Sequence, residues 1–196
     1  MRIVRMSELT ATPWKNGGGV TREISAVRRD EALLWRLSLA DVAKDGPFSN
    51  FDGFIRILTV IDGNGMELIG SSGTLYADYG EPVRFDGGLK IDAKLTDGPL
   101  RDFNLIFDPV FCDGKVVPIT GPYRQVLRAT PEITFAVHGL RGSVTIDKVE
   151  RLHAGDTAVI ETGSAQVDLA KGASALIVTL ALQAHSEASK LATATR

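Results

Sequence analysis

The residues best suited to chemistry lie near the N-terminus, in Pro13-Trp14-Lys15-Asn16-Gly17-Gly18-Gly19-Val20-Thr21-Arg22-Glu23-Ile24. Three consecutive glycines leave backbone N–H groups uncovered, so that they can point at an anion or let a ligand approach closely. Trp14 adds a flat apolar wall, Lys15 and Arg22 add positive charge, and Asn16 offers both a donor and an acceptor. The order is not that of a P-loop, because no G-x-x-x-x-G-K-[ST] is present and the stretch precedes a strand instead of opening a helix. Two readings stay open: a loop that cradles an anion, or a loop that closes a core with Trp14 as its plug.

Strand alternation supplies further polar groups. In Leu34-Trp35-Arg36-Leu37-Ser38-Leu39, Trp35, Leu37 and Leu39 share one face, and Arg36 and Ser38 share the other. In Asp102-Phe103-Asn104-Leu105-Ile106-Phe107, Phe103, Leu105 and Phe107 form the apolar set while Asp102 and Asn104 point oppositely. Thr21, Glu23 and Ser25 likewise share a face opposite Arg22, Ile24 and Ala26. Taken singly, each polar face reads as the solvent side of a sheet. Only convergence in one cavity makes them a site.

The elements that must position these groups are β-strands. Short stretches rich in Val, Ile, Leu and Thr are cut by Gly, Pro or Asp clusters throughout the chain. Phe54–Ile61 runs into Asp62-Gly63-Asn64-Gly65, whose glycines can take the positive φ of a hairpin turn, and Phe135–His138 followed by Gly139-Leu140-Arg141-Gly142 repeats the plan. Gly65 precedes Gly80 by fifteen residues, and Gly142 precedes Gly155 by thirteen. This spacing predicts an all-β protein with a weak internal duplication, two antiparallel units of roughly 80 to 100 residues packed as one body. The boundaries expected are 1–107 for the first half and 108–185 for the connection and second half. Pro109, Pro118 and Pro122 mark the segment from Asp108 to Thr130 as the crossing connection, and 186–196 reads as a small polar tail that frays. Helical signal is confined to a turn from Ser7 to Thr10, with Ser7 as its cap.

Of 196 residues, 22 are basic and 24 acidic, a net charge of −2 that argues against a nucleic-acid partner. A 44% hydrophobic content supports a full core, while no run approaches a membrane span and the first residues lack a signal peptide, so a cytoplasmic protein without a membrane partner is expected. Cys112, the single cysteine, cannot close an intrachain disulfide and reads as a small buried hydrophobe. His138, His153 and His185 contain no H-x-H or H-x-x-x-H pair, so neither a metal site nor a cofactor is expected. No G-x-S-x-G elbow is present for nucleophilic catalysis.

Trp14-Lys15-Asn16-Gly17-Gly18-Gly19, Thr21-Arg22-Glu23-Ile24, Trp35-Arg36-Leu37-Ser38-Leu39-Ala40-Asp41-Val42, Gly46-Pro47-Phe48-Ser49, Gly53 with Arg56, and Arg101-Asp102-Phe103-Asn104-Leu105 together resemble the HutD/Ves family. Order and spacing match over about the first 107 residues. The resemblance implies a metal-free bicupin, two fused cupin-like antiparallel β barrels of the RmlC-like jelly-roll type. It also implies association with bacterial histidine utilisation, and binding of an intermediate such as formylglutamate or urocanate that restrains flux, with no established catalysis. The chain departs from the family's usual F-P-G-x-D-R, reading Phe51-Asp52-Gly53-Phe54-Ile55-Arg56.

On this basis Trp14, Lys15, Asn16, Gly17, Gly18, Arg22, Glu23, Arg36, Ser38, Arg56, Asp102 and Asn104 are the candidate ligand-binding residues, with Arg36, Arg56, Lys15 and Asn104 suited to a small anionic metabolite. Were the protein an enzyme, Lys15, Glu23 and Asp102 would be its acid and base on the same kind of carboxylate. A structural or stress-related interaction protein without a small ligand, in which the glycine loop only closes the barrel end, is the remaining alternative. Edge-to-edge pairing of sheets leaves a homodimer open.

Overall fold

The computed structural model describes residues 1–183; the expected tail at 186–196 and His185 lie outside the described residues. Apolar and β-branched residues alternating between Gly- and Asp-rich turns form four sheets whose ladders are antiparallel. The first half sets a six-stranded sheet, in the order Thr12–Pro13, Gly19–Arg29, Ala32–Val42, Leu100–Phe107, Ile55–Asp62 and Pro82–Asp86, against a four-stranded one of Gly46–Pro47, Ile91–Leu95, Met66–Gly70 and Gly73–Ala77. The second half sets a five-stranded sheet, Arg2–Val4, Thr157–Ile160, Ile133–Arg141, Ser174–Leu182 and Cys112–Thr120, against Tyr123–Ala129, Gly163–Leu169, Val144–Ile146 and Glu150–Leu152. Among the described residues no helix is long and apolar enough to cross a membrane.

Each half has its own apolar core between its two sheets. A third core joins the halves. Leu37, Leu39, Phe103, Leu105 and Phe107 from the six-stranded sheet pack with Val116, Ala136, Leu176 and Val178 from the five-stranded one. Full burial of each such Leu or Phe contributes about 1.5–3 kcal/mol. The six-stranded sheet is therefore covered on both sides. This corrects the reading of its polar faces as solvent-exposed: with Trp35, Leu37 and Leu39 committed to the junction between halves, the opposite face carrying Arg36, Ser38, Asp102 and Asn104 turns into the first sandwich, and Ser38, Asp102 and Asn104 are buried.

Three local expectations differ from what is found. Asp108 to Thr130 is not a connecting segment, since Cys112–Thr120 and Tyr123–Ala129 are strands of the second half. Pro118 is tolerated because Cys112–Thr120 is an edge strand, where a missing N–H costs no ladder bond. The N-terminal turn is a short 3-10 helix, Met6–Glu8, preceded by Arg5 and without any side-chain cap, so Ser7 does not serve as one. Lastly, Arg2–Val4 pairs with Thr157–Ile160 and so lies in the sheet of the second half. It is pinned there by Asp156, which accepts the Met6 N–H at 3.0 Å and an Arg5 N–H at 2.9 Å. Burial opposes the charge on Asp156, but the bonds from Met6, Arg5 and His153 outweigh it and hold the carboxyl below its ordinary range.

The duplication is legible in the ladders. Ile55–Asp62 beside Leu100–Phe107 corresponds to Ile133–Arg141 beside Ser174–Leu182, and both ladders slip by one residue at the same corner. Asp62 pairs with Arg101 and Val60 with Asp102, leaving Ile61 as a bulge; Arg141 pairs with Ser174 and Gly139 with Ala175, leaving Leu140. Ile61 thus corresponds to Leu140, and Asp62 to Arg141.

Candidate functional site

Three adjacent strands deliver the polar groups to one place. Ile106 on the central strand is flanked in register by Arg36 on one side and Arg56 on the other, and Asn104, two residues back on the same face, by Ser38 and Leu58. Arg36, Ser38, Arg56 and Asn104 line a cavity of about 40 Å³ walled by Trp14, Phe48 and Phe51. The Arg36 guanidinium lies over the Phe51 ring at 5.1 Å, and that of Arg56 over Phe48 at 4.7 Å and Phe85 at 5.7 Å. These faces carry the negative part of the ring quadrupole and help hold the cations.

A hydrogen-bonded chain runs through the site. Arg56 Nε–H donates to Asn104 Oδ1 at 2.8 Å, and Asn104 Nδ2–H donates to Asp102 Oδ1. Among the described residues Asp102 Oδ2 and Arg36 Nε, both buried, have no hydrogen-bond partner. Burial pushes the Asp102 carboxyl up to about 6, against the pull of Arg56 and the Asn104 bond. Burial also draws Arg56 down to about 10, with Asp102 opposing and Arg36 adding to the effect, and lowers Arg36 in the same sense. Both guanidiniums stay charged near neutral pH. Two cations thus face one carboxylate, an excess of positive charge in a water-poor space.

The glycine loop is arranged differently from expectation. The Gly17 N–H donates to the Trp14 carbonyl at 3.0 Å and the Gly18 N–H to Asn16 Oδ1 at 2.9 Å, so neither is free to meet an anion. Gly17 is needed for its positive φ of 65°, and Gly19 for strand approach, since a Cβ there would sit 2.3 Å from the Asp41 carbonyl oxygen. The loop instead places Trp14, whose Nε1–H donates to Thr21 Oγ1 at 2.7 Å and whose ring meets Phe48 edge-on at 6.0 Å.

Of the remaining candidates, Lys15 and Asn16 are exposed in the loop, outside the cavity lining. Glu23 is exposed, although its charge reaches Arg36 and favours the guanidinium. Lys15, Glu23 and the fully buried Asp102 are therefore not assembled as an acid–base group. Arg22 lies on the opposite face of the sheet, where it shares Asp41 with Arg101. Ser25 also leaves the expected face: the ladder slips at Ile24, and the Ser25 hydroxyl accepts from Arg2 at 2.9 Å. Ile55 packs into the junction between halves while Arg56 points into the cavity, so side chains at 55 and 56 sit on opposite faces. Sequence reasoning put Thr21 on a polar face but carried neither it nor Phe51 or Ile106 into the candidate set; aromatic residues in a Gly/Pro loop were the available signal for Phe51.

Among the described residues the second half has no counterpart of this site. At the ladder positions of Arg56, Asp102 and Asn104 it carries Phe135, Ala175 and Ile177, and its interior is apolar. His138 is buried with Nδ1 2.8 Å from Thr157 Oγ1, and burial draws it down to about 4; His153 is exposed beside Asp156. Among the described residues no three His, Cys, Asp or Glu side chains are grouped so that they could hold a metal ion.

The HutD family model matches residues 6–178. An uncharacterized 21.2 kDa protein in the hutC 3' region of Pseudomonas putida is 32% identical over 173 residues, covering 82% of this chain and 87% of its own. Among solved structures, HutD from Pseudomonas fluorescens SBW25, in a formate condition, is similar with a TM-score of 0.81 and 29% identity over 93% of this chain and 99% of that one. A cupin 2 conserved barrel domain protein from Leptotrichia buccalis, 12% identical with a TM-score of 0.57 over 93% of this chain and 96% of its own, shares the fold. Two cupin-type sandwiches joined through their larger sheets, and a match running through both of them, identify the chain as a bicupin belonging to the HutD family, which is linked to histidine utilisation.

Proposed function

We propose that the first-half cavity binds the carboxylate of a small metabolite of histidine degradation, formylglutamate or urocanate, and that occupancy restrains flux through the pathway. The observation that carries this reading is the pair Arg36 and Arg56, set around one face of the central strand, with Arg36 Nε unpartnered among the described residues, Asp102 the buried carboxylate beside Arg56, and Glu23 acting on Arg36 from the exposed side. A partly buried cation whose Nε is buried without an acceptor favours an anionic guest, and each charge-assisted bond contributes about 1.5–3 kcal/mol where water is excluded. A volume of about 40 Å³ admits a carboxylate group and not a whole dicarboxylate, so the ligand enters by one end and the rest of it lies toward the aromatic rim.

Thermal unfolding and calorimetry of the full chain with formate, formylglutamate and urocanate test this. Ligand at about one hundred times Kd stabilises the fold by about 2.7 kcal/mol. Absence of stabilisation by every carboxylate would refute the reading. Turnover followed by NMR separates a binder, which returns its ligand unchanged, from an enzyme.

A further inference from the structure

The slip common to both ladders brings equivalent corners of the two halves together. Ile61 and Leu140 line a cleft of about 320 Å³ between the halves, along with Asp62, Tyr79, Arg101 and Arg141. Asp62 and Arg141 occupy equivalent register positions, carry opposite charges and are both exposed. Among the described residues neither side chain takes part in a hydrogen bond or ion pair, with the other or with any neighbour. Bulges re-aim side chains and are over-represented beside functional sites.

The walls are held in place. Asp41 anchors Arg101, and Tyr79 is fixed by a bridge to Val60. Gly139 is tied on both sides, its carbonyl accepting from Gly155 N–H at 2.8 Å and its N–H donating to the Asp156 carbonyl at 3.0 Å. His138 also borders the cleft, and its buried Nε2 has no partner among the described residues.

We propose that this cleft binds a free α-amino acid, its carboxylate on Arg141 and its ammonium on Asp62. A simple anion would meet the Asp62 carboxylate, and a simple cation would meet the guanidiniums of Arg101 and Arg141. A zwitterion satisfies both walls at once. The volume is at the small end of ligand sites and suits one amino acid better than a peptide. This site is separate from the barrel cavity and stands or falls independently of it.

The test is calorimetric titration of the full chain with the common L-α-amino acids, and with the N-acetyl and methyl-ester derivatives of whichever binds. The expected result is a Kd of about 1 mM or tighter for at least one free amino acid. Removing either charge from the ligand should weaken it roughly tenfold or more, as should Asp62→Asn or Arg141→Gln. The exchanged pair Asp62→Arg with Arg141→Asp should restore binding, which a purely structural role would not predict, and Arg36→Gln should leave it unchanged. An N-acetyl derivative that binds as well as its parent would overturn the proposal. So would unchanged affinity in both single variants, or no binding by any free amino acid up to about 10 mM.

Discussion

Arg56 and Asn104 meet through a 2.8 Å bond from Nε–H to Oδ1, both side chains buried between the sheets of the first half. Asn104 is at once an acceptor for that cation and a donor to Asp102. Truncation in Asn104→Ala strands a buried guanidinium and a buried carboxylate together. The expected loss is about 3 kcal/mol or more in chemical denaturation, whether or not a ligand is present.

Two buried groups give opposite pH dependences in nearly the same range. Asp102 titrates at about 6 in the fold, above its unfolded value, so the native state holds the proton longer and stability falls as pH rises from about 4 to 6. His138 titrates at about 4, below its unfolded value, so the unfolded state takes the proton first and stability rises with pH from about 4 to 6.5. Their effects offset each other. In Asp102→Asn the first contribution vanishes, and the variant should gain about 3 kcal/mol relative to the parent between pH 4 and 6.5. Denaturation curves at several pH values read this directly; a constant difference across the range would contradict it.

The carboxylate reading separates Arg36 from Arg56. Arg36 is only partly buried and makes no hydrogen bond through Nε, so Arg36→Gln should change stability by under about 1 kcal/mol. The same variant should weaken a carboxylate ligand by about 2 kcal/mol, roughly thirtyfold, in calorimetry. Equal affinity in parent and variant would place the anion elsewhere.

Anion binding should itself depend on pH. Asp102 competes with the ligand for the positive charge of Arg56, so affinity should weaken as pH rises through about 6, with proton uptake on binding at and above that point, where Asp102 is ionised in the free protein. Calorimetry in buffers of different ionisation enthalpy measures the uptake, and Asp102→Asn should abolish it.

The glycine loop should respond unequally along its length. At Gly17 a Cβ meets open space and the cost of Gly17→Ala is that of a positive φ, about 1 kcal/mol. At Gly19 the Cβ would lie 2.3 Å from the Asp41 oxygen, so Gly19→Ala must push neighbouring strands apart and should cost about 3 kcal/mol or more. A shift in Trp14 fluorescence should accompany the second change only.

Much of this architecture could be read from residue order. Alternation in Leu34–Asp41 and Asp102–Phe107 assigned the correct partners to each face, and turn glycines at Gly63, Gly65 and Gly142 marked real corners, although these corners carry the chain from one sheet to the other and do not close the hairpins expected. Which face met water could not be read, because that depends on a second sheet contributed by residues 112–182. Arg22 keeps the face that alternation gives it, opposite Thr21 and Glu23, and spends its charge on Asp41 there instead of in the cavity, whereas Ser25 is turned over by a bulge that leaves no periodic trace. The amides of Gly17 and Gly18 were consumed by their own loop, a local competition that composition does not reveal.

Arg2–Val4 is made ahead of the first sandwich and pairs with Thr157–Ile160, which is made after it. During synthesis, this strand has no ladder to join until Thr157–Ile160 has left the ribosome, so the first sandwich can consolidate while the strand ahead of it stays unplaced. Assembly is therefore not a procession from front to back: a strand made before the first sandwich is fastened after it.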